Sequence, residues 1–223
     1  MASDLVWVGT YGGKLAYMTF ADNGVDYFKA TPGGLNHPIV SCFEEDSEGN
    51  LWIGTERGGI NRWDRRDGRF VYYTQESRCG LTSNMIKKLW HDENNTLLVS
   101  AFNGGMRAFD ERQGRFTDLH MNHPASGQPL SVYDFAKEGD RGIWLTDPDA
   151  ELMYKDASTG RVETVRLTDA QGNAVRIHIE TLFHDERGDL WLVGHDGAYV
   201  VDPATRRILK RHYIAEAPYS VNN

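Results

Sequence analysis

The sequence predicts an all-β protein of the β-propeller class, and three observations support that prediction. Apolar segments recur every 45 to 47 residues. The strand-like runs are short and aromatic, and the 23 glycines mark frequent turns between them. No segment shows the 3.6-residue period of an amphipathic helix. One apolar position, which we call the slot, is filled once in each repeat by Trp7, Trp52, Leu98, Trp144 and Trp191.

The second repeat shows the order of elements most clearly. Its apolar and aromatic runs predict strands over residues 39–45, 51–54, 60–64 and 70–73, with glycine-containing turns between them. The third repeat predicts the same order over residues 85–91, 97–100, 106–110 and 116–119, and the pattern starts again at Ser131 and at His178. Each repeat is therefore a four-stranded antiparallel unit.

Five such units, of about 45 residues each, make up a single domain with approximate boundaries at 1–38, 39–84, 85–130, 131–176 and 177–223. A four-stranded sheet of this size cannot bury both of its faces alone, whereas radial stacking of sheets covers both. A two-sheet sandwich would not repeat as identical four-strand units, and the rungs of a β-helix are shorter. These arguments favour the propeller.

The strand count indicates that the ring is incomplete. The first repeat begins at its second strand, while the last ends in the loop that elsewhere precedes a first strand. A three-stranded blade would leave an unpaired edge in a closed ring. We therefore expect a fragment of a larger propeller, of about six to eight blades, and an autonomous five-bladed ring remains the alternative.

Composition excludes several classes of protein. The net charge of −8 argues against binding to nucleic acid, and no apolar run is long enough to span or contact a membrane. The segment from Met1 to Trp7 has no pattern of a secretory leader. Cys42 and Cys79 could form one disulfide, but nothing in the sequence requires it.

The string from Phe43 to Asp64, followed by Gly68-Arg69-Phe70 and by Gly80-Leu81-Thr82-Ser83-Asn84, resembles the two-component regulator propeller repeat. Weaker copies keep the skeleton through nearly the whole chain. In that family the repeats form the sensor region of bacterial membrane receptors, typically hybrid histidine kinases and sometimes diguanylate cyclases. That region lies outside the inner membrane, and the best-known members respond to glycan breakdown products.

The resemblance implies a periplasmic, non-catalytic ligand-sensing module that works without a cofactor. Any kinase or cyclase activity would lie outside this chain. The implied partners are a small-molecule ligand, such as an oligosaccharide, and a second copy of the receptor in a homodimer. A propeller enzyme, either a lyase or a hydrolase, and a protein–protein interaction scaffold are the alternatives. The fourth repeat departs most from the pattern, at Thr146 to Glu151.

Several polar motifs have a structural interpretation. The Asp46-x-x-Gly49 and Asp185-x-x-Gly188 turns lack the ligand ladder of a calcium loop and are typical of Asx turns. His91 and His184 occupy a repeat position that other copies fill with Glu45 and Lys137, so we expect them to be solvated. The pair His120-x-x-His123 lacks further zinc ligands, and we therefore predict no metal site.

A tryptophan that recurs in every repeat serves an environment common to all blades, so the slot is interpreted as core. Ligand specificity should instead depend on positions that differ between blades. The turns between the second and third strands and the loops between blades open on one face of such a propeller, and binding residues concentrate in loops. The predicted ligand-binding residues are Tyr11, Arg57, Phe102, Asn103, Asp149, His195 and Asp196. The inter-blade loops add Asn36, His37, Arg78, Asn84, His123, Gln128, Asn173 and Arg176.

Overall fold

The structure, a computed structural model, describes residues 5–10, 14–19, 25–149 and 151–212. Every regular element in these ranges is a strand. The strands are β1 (Leu5–Thr10), β2 (Lys14–Thr19), β3 (Val25–Phe28), β4 (Val40–Glu45), β5 (Leu51–Thr55), β6 (Ile60–Trp63), β7 (Phe70–Tyr73), β8 (Ile86–His91), β9 (Leu97–Ala101), β10 (Gly105–Asp110), β11 (Arg115–Asp118), β12 (Asp134–Glu138), β13 (Gly142–Thr146), β14 (Leu152–Asp156), β15 (Val162–Thr164), β16 (Leu167–Thr168), β17 (Ala174–Val175), β18 (Ile179–His184), β19 (Leu190–Gly194), β20 (Gly197–Asp202) and β21 (Arg207–His212). Among the described residues, none belongs to a helix long and apolar enough to cross a bilayer.

The strands form one sheet for each predicted repeat. Strands β1 to β3, β4 to β7, β8 to β11 and β12 to β15 each pair in sequence order, and we call these sheets blades one to four. Strands β18 to β21 form blade five. All pairs of consecutive strands within a blade are antiparallel, which confirms the predicted unit in blades two to four. Blade one has three described strands, as the strand count indicated.

Blade five departs from the prediction of four strands. The loop that precedes it contains the hairpin of β16 and β17, and β16 pairs in parallel with the last strand, at Thr168 and Arg207. The Arg207 guanidinium also donates a hydrogen bond of 2.7 Å to the carbonyl of Ala170. The sheet therefore has six strands, and the hairpin covers an edge that would otherwise be open to pairing with another chain. Strands of two residues are too short for a periodic signal, so the sequence predicted a loop here.

The chain divides into two compact units, residues 1–119 and 120–223. In the first unit, apolar side chains of neighbouring blades pack face to face. One cluster centres on Ile53 and Leu35, and another on Trp52, Ile86 and Phe116. In the second unit, Trp144 of blade four packs with side chains of blade five in one cluster. The other buried members of this cluster are Leu152, Val165, Leu167, Ile177, Ile179, Leu182, Leu190, Leu192, Tyr199 and Val201. Buried apolar faces on both sides of the middle strands explain their uninterrupted hydrophobic runs.

The slot belongs to this core. Trp52 and Trp144 are 2% and 1% exposed, and Leu98 is also buried, which confirms the core interpretation for these repeats. Trp191 is half-buried between the rings of Phe183 and His212, which stack on it at centroid distances of 5.9 and 5.4 Å. The side chain of Trp7 lies outside the described residues.

A carboxylate at the junction of the first strand and the turn that follows it anchors the slot tryptophan in three blades. The indole Nε1 of Trp52 donates to Asp46 at 3.1 Å, and that of Trp191 donates to Asp185 at 3.0 Å. In blade four, Trp144 donates to Glu138 at 3.0 Å. The sequence did not reveal this bond, although the carboxylate stands six residues before the tryptophan in each case.

The same carboxylates organise the turns. Oδ1 of Asp46 accepts hydrogen bonds from the backbone N–H groups of Glu48 and Asn50, and Gly49 has a φ of +81°. The Asx-turn interpretation is therefore confirmed. Burial raises the pKa of Asp46, but the hydrogen bonds from Asn50, Trp52 and Glu48 outweigh it, so this pKa lies below its ordinary value of 3.8.

The expectation of solvated histidines is wrong for His91. Its side chain is only 10% exposed, lies 3.8 Å from the Glu44 carboxylate and packs edge-on against Trp52. The blade-to-blade contact covers a strand end that would be open in an isolated sheet. His184 is half-buried, with Nδ1 at 3.2 Å from the Gly188 carbonyl. Cys42 and Cys79 are free thiols, and burial raises the pKa of Cys42 to about 12.

Candidate functional site

The turns between the second and third strands meet the inter-blade loops in the first unit. The N–H of Gly59, in the β5–β6 turn, donates to the carbonyl of Asn84 at 2.9 Å, and the Asn36 side chain donates to the Gly58 carbonyl at 2.6 Å. Thr82 donates to the Gly104 carbonyl in the β9–β10 turn at 2.8 Å. These loops and turns therefore lie at one end of the blades, as predicted. Asn36 and Asn84 hold the turns in place.

The Phe102 patch, which comprises Glu56, Arg57, Lys87, Phe102 and Asn103, lies on this end of the first unit. The Lys87 ammonium pairs with both Glu56 carboxylate oxygens at 3.3 Å and lies 5.9 Å from the centre of the Phe102 ring. Arg57 and Asn103 are exposed, and Asn103 has a positive φ of 53° at the tip of its turn. An aromatic ring beside charged and amide groups suits a ligand with one apolar face and a hydroxylated edge.

The His195 patch, which comprises His178, Glu180, His195, Asp196 and Arg211, lies in blade five. The His195 and His178 rings stack at 5.1 Å, and His195 Nε2 is 3.2 Å from the Glu180 carboxylate. Asp196 pairs with Arg211 at 3.0 Å. His195 is 71% exposed at its side chain, so this face is open to a solute.

Tyr199 adds a further bond to the His195 patch. Its hydroxyl donates to Asp196 at 2.5 Å, and the Arg211 guanidinium carbon lies 5.1 Å from the centre of its ring. Burial, followed by the hydrogen bond to the Asp196 carboxylate, raises the pKa of Tyr199 to about 12. The phenol therefore remains a neutral donor that holds Asp196 in place.

The Asp147 cluster, which comprises His123, Asp147 and Glu151, joins blade four to the loop before it. One potential ligand atom from each of His123, Asp147 and Glu151 lies within 4.8 Å of the others, and His123 Nε2 is 3.8 Å from Glu151 Oε2. Asp147 is 7% exposed, and its Oδ1 accepts the N–H groups of Asp149 and Glu151, both at 3.0 Å. Burial raises the pKa of Asp147, and the neighbouring charges of Asp149 and Glu151 add to this effect.

The structure therefore divides the predicted residues between separate patches, and Lys87 links Glu56, the neighbour of Arg57, to Phe102. Arg57, Phe102 and Asn103 belong to the Phe102 patch, and His195 and Asp196 to the His195 patch. Asp149 is exposed in the turn that Asp147 organises. Tyr11 lies outside the described residues. Asn173 holds the β16–β17 hairpin through two hydrogen bonds to Asp169.

Sequence reasoning missed the charged partners of these residues. Lys87 and Glu180 lie on first strands of their blades, where the repeat pattern marks them only as strand positions. Asp147 and Glu151 stand in the segment where repeat four departs from the pattern. That departure from the repeat was the available signal, but it does not identify His123 as a partner.

A shallow cavity lies at the opposite ends of blades four and five. It measures about 260 Å³ and is lined by Lys137, Glu138, Gly139, Asp140, Arg141, His184 and Gly188. Glu138 there accepts the Trp144 indole N–H and pairs with Arg141 at 2.9 Å. These bonds organise the first turn of blade four, so the residues of this cavity also have a structural role.

Solved structures with the same fold define the class. The chain matches the extracellular domains of two putative hybrid two-component systems from B. thetaiotaomicron, at 18% and 16% identity and TM-scores of 0.70 and 0.71. The matches cover 98% and 97% of this chain and 27% of each of those chains. It also matches a catalytically inactive virginiamycin B lyase from Staphylococcus aureus, solved with quinupristin, at 12% identity and a TM-score of 0.68, over 97% of this chain and 69% of that one.

These similarities confirm that the chain is an all-β protein of the β-propeller class. Residues 34–57 match the family described as two component regulator propeller, so the predicted repeat is confirmed in this segment. No curated protein sequence matches the chain. The chain spans about a quarter of the length of the B. thetaiotaomicron structures, at 27%.

Proposed function

We propose that this chain is a ligand-sensing module of a bacterial two-component or related signalling receptor and acts outside the cytoplasm, in the periplasm. The match of residues 34–57 to the two component regulator propeller carries this proposal. The similarity to extracellular domains of hybrid two-component systems supports it, since those domains share the fold over almost all of this chain. In this proposal the chain is not catalytic, and the receptor works as a homodimer.

The proposed ligand is derived from a glycan, such as an oligosaccharide. The Phe102 patch supports this assignment through its chemistry. A half-buried aromatic ring offers a surface for the apolar face of a sugar, while Arg57, Asn103 and the Glu56–Lys87 pair offer donors and acceptors for its hydroxyl groups. The His195 patch presents the same kinds of group on blade five.

A thermal-shift screen tests the proposal. The full chain is heated with a panel of oligosaccharides, monosaccharides and unrelated metabolites. A ligand at about 100 times its Kd adds roughly 2.7 kcal/mol to the free energy of unfolding, so a specific class should raise the melting temperature clearly. We expect one oligosaccharide class to do so, and Arg57→Ala or Phe102→Ala to abolish the shift.

A matched variant controls for general effects of charge. Arg66 is also exposed, but it lies in the β6–β7 turn at the opposite end of blade two. Arg66→Ala should leave the ligand-induced shift unchanged. Equal loss of the shift in both arginine variants would reject the predicted face. A folded chain with no shift from any glycan would reject the glycan ligand.

A propeller enzyme is the second candidate, and the similarity to virginiamycin B lyase is the observation that favours it. The same panel separates the two functions, since each compound can be recovered and analysed by mass spectrometry after incubation. An unchanged compound that shifts the melting temperature supports a sensor. Its cleavage or rearrangement by wild-type protein, reduced in His195→Ala, would support an enzyme.

A further inference from the structure

We infer that His123, Asp147 and Glu151 form a binding site for a divalent transition-metal ion. The inference departs from the prediction of no metal site and does not depend on the sensor function. The two carboxylates come from the β13–β14 turn and the imidazole from the loop before blade four, so the site exists only in the folded protein. The site includes His123 from the His120-x-x-His123 motif, but the other two ligands are carboxylates and not His120.

The separations suit one small ion. A zinc ion binds nitrogen and oxygen ligands at about 2.0–2.2 Å, so two ligand atoms on a tetrahedral zinc ion lie roughly 3.4 Å apart. The 3.8 Å between His123 Nε2 and Glu151 Oε2 is a few tenths of an ångström longer than this separation. All three ligand atoms lie within 4.8 Å of one another, so small side-chain rotations complete the set.

The buried carboxylate of Asp147 is the second observation that points to a ligand. Only 7% of the residue is exposed, and the turn N–H groups bond only to Oδ1. Among the described residues, none donates a hydrogen bond to Oδ2, and no lysine or arginine pairs with Asp147 or Glu151. A buried carboxylate is costly unless it is paired or binds a metal. A cation between Asp147 and Glu151 would supply the missing partner.

The ligand types select among metals. Imidazole nitrogen with two carboxylates suits zinc, manganese and similar first-row ions, whereas magnesium and calcium prefer oxygen ligands alone. Three protein ligands also leave coordination positions open for water or for an oxygen atom of a bound solute.

Coordination requires a change of tautomer at His123. Nδ1 accepts hydrogen bonds from the N–H groups of Ala125 and Ser126 at 3.2 and 3.3 Å, so the neutral ring carries its hydrogen on Nε2. A metal that binds the Nε2 lone pair moves this hydrogen to Nδ1, and the ring stays neutral. The two long bonds are then lost. The turn keeps its backbone bonds between His123 and Gln128 and between Gly127 and His123, both at 2.8 Å.

Titration calorimetry with zinc on the metal-free full chain tests the inference. We expect one zinc ion per chain, an increase in melting temperature with zinc, and much weaker binding of magnesium. Asp147→Asn keeps the Oδ1 acceptor that the turn needs, and His123→Asn keeps an acceptor for the N–H groups of the loop. Each of these variants, and Glu151→Gln, should weaken zinc binding by roughly tenfold or more.

Control variants come from another histidine–carboxylate contact. His195 and Glu180 are as close as 3.2 Å but lack a third ligand within reach among the described residues. His195→Ala and Glu180→Gln should bind zinc like the wild type. Circular dichroism and melting without zinc establish that each variant is folded.

Several results would overturn the inference. These are no zinc binding by folded wild-type protein, wild-type affinity in both Asp147→Asn and Glu151→Gln, or loss of binding in the His195 and Glu180 controls. Cobalt substitution adds a spectroscopic test, since nitrogen and oxygen ligands give weak visible bands without thiolate charge transfer. A thiolate band would assign the metal to Cys42 or Cys79 instead.

Discussion

Blades two and four are nearly alike at one end and unlike at the other. At the end of the blade that carries the turn between the first and second strands, both blades use a buried carboxylate to accept the indole N–H of the slot tryptophan. The distances are 3.1 Å to Asp46 and 3.0 Å to Glu138. The opposite end of the blade carries the turn between the second and third strands. There blade two has Thr55, whose hydroxyl donates to the Gly59 carbonyl, and blade four has Asp147 at the corresponding position. The shared end maintains the fold, and the variable end distinguishes the blades chemically.

The difference at the variable end has a local cause. Thr55 accepts the N–H of Gly58 at 2.9 Å, and Gly59 adopts a φ of +70°, where a Cβ would clash with the Tyr73 carbonyl oxygen. In blade four, Asp147 takes over the role of acceptor, and its longer side chain also bonds to the N–H of Glu151. Glu151 does not share the positive φ of Gly59, so a residue with a side chain can occupy this position.

The largest expected effect comes from removing the slot tryptophan. Trp52→Ala and Trp144→Ala should each lower the free energy of unfolding by about 3–5 kcal/mol, because each leaves a large cavity in a packed core and removes the indole hydrogen bond to a carboxylate. Trp191→Ala should cost less, because Trp191 is only half-buried. Urea unfolding measures all three. Equal costs at Trp52 and Trp191 would show that burial does not set the contribution of the slot.

A smaller effect comes from the anchoring carboxylate. Asp46→Ala should cost about 2–3 kcal/mol, because the indole N–H and two turn N–H groups lose an ionised acceptor. The control is Asp92→Ala in blade three, where the slot holds Leu98 and the carboxylate accepts the N–H groups of Asn94 and Thr96. That variant should cost about 1 kcal/mol. Urea unfolding again supplies the comparison, and equal costs would contradict the indole contribution.

The Asp46 bond also predicts a pH dependence. The pKa of Asp46 is lower in the folded chain than its ordinary value of 3.8, so its contribution is fully present above that value. The contribution is lost as the pH falls through the lower, folded pKa. Asp46→Asn should therefore reduce the loss of stability between neutral pH and about pH 3, measured by urea unfolding at each pH. An unchanged pH profile in this variant would contradict the assignment.

The smallest effect concerns the variable end of blade two. Glu56→Gln should lower the free energy of unfolding by only about 0.5 kcal/mol, because the Glu56–Lys87 pair is partly exposed and screened by salt. The corresponding position in blade four is Pro148, which cannot form such a pair. Thermal unfolding at low and high salt checks the estimate. A cost above that of Asp46→Ala would mean that the variable end also maintains the fold.

The periodic features of the fold could be predicted from the sequence. Repeated strands and turns at Gly49 and Gly188 depend on neighbours close in the chain, so each repeat carries its own signal. The β16–β17 hairpin could not be predicted, because two-residue strands carry no periodic signal and their contact with β21 joins segments distant in the chain. The burial of His91 was also missed, since Trp52 of the preceding blade covers it.

The same division applies to the candidate sites. The sequence by itself determined the repeat, the slot and the end of the blades at which turns and loops meet, because strand alternation and turn chemistry are local properties. Only the tertiary structure decided which side chains share a site. Lys87 meets Glu56 and Phe102, and His123 meets the Asp147 turn, through packing between segments that are distant in the chain. Such contacts depend on how sheets and loops pack, and a single sequence carries no periodic signal for them.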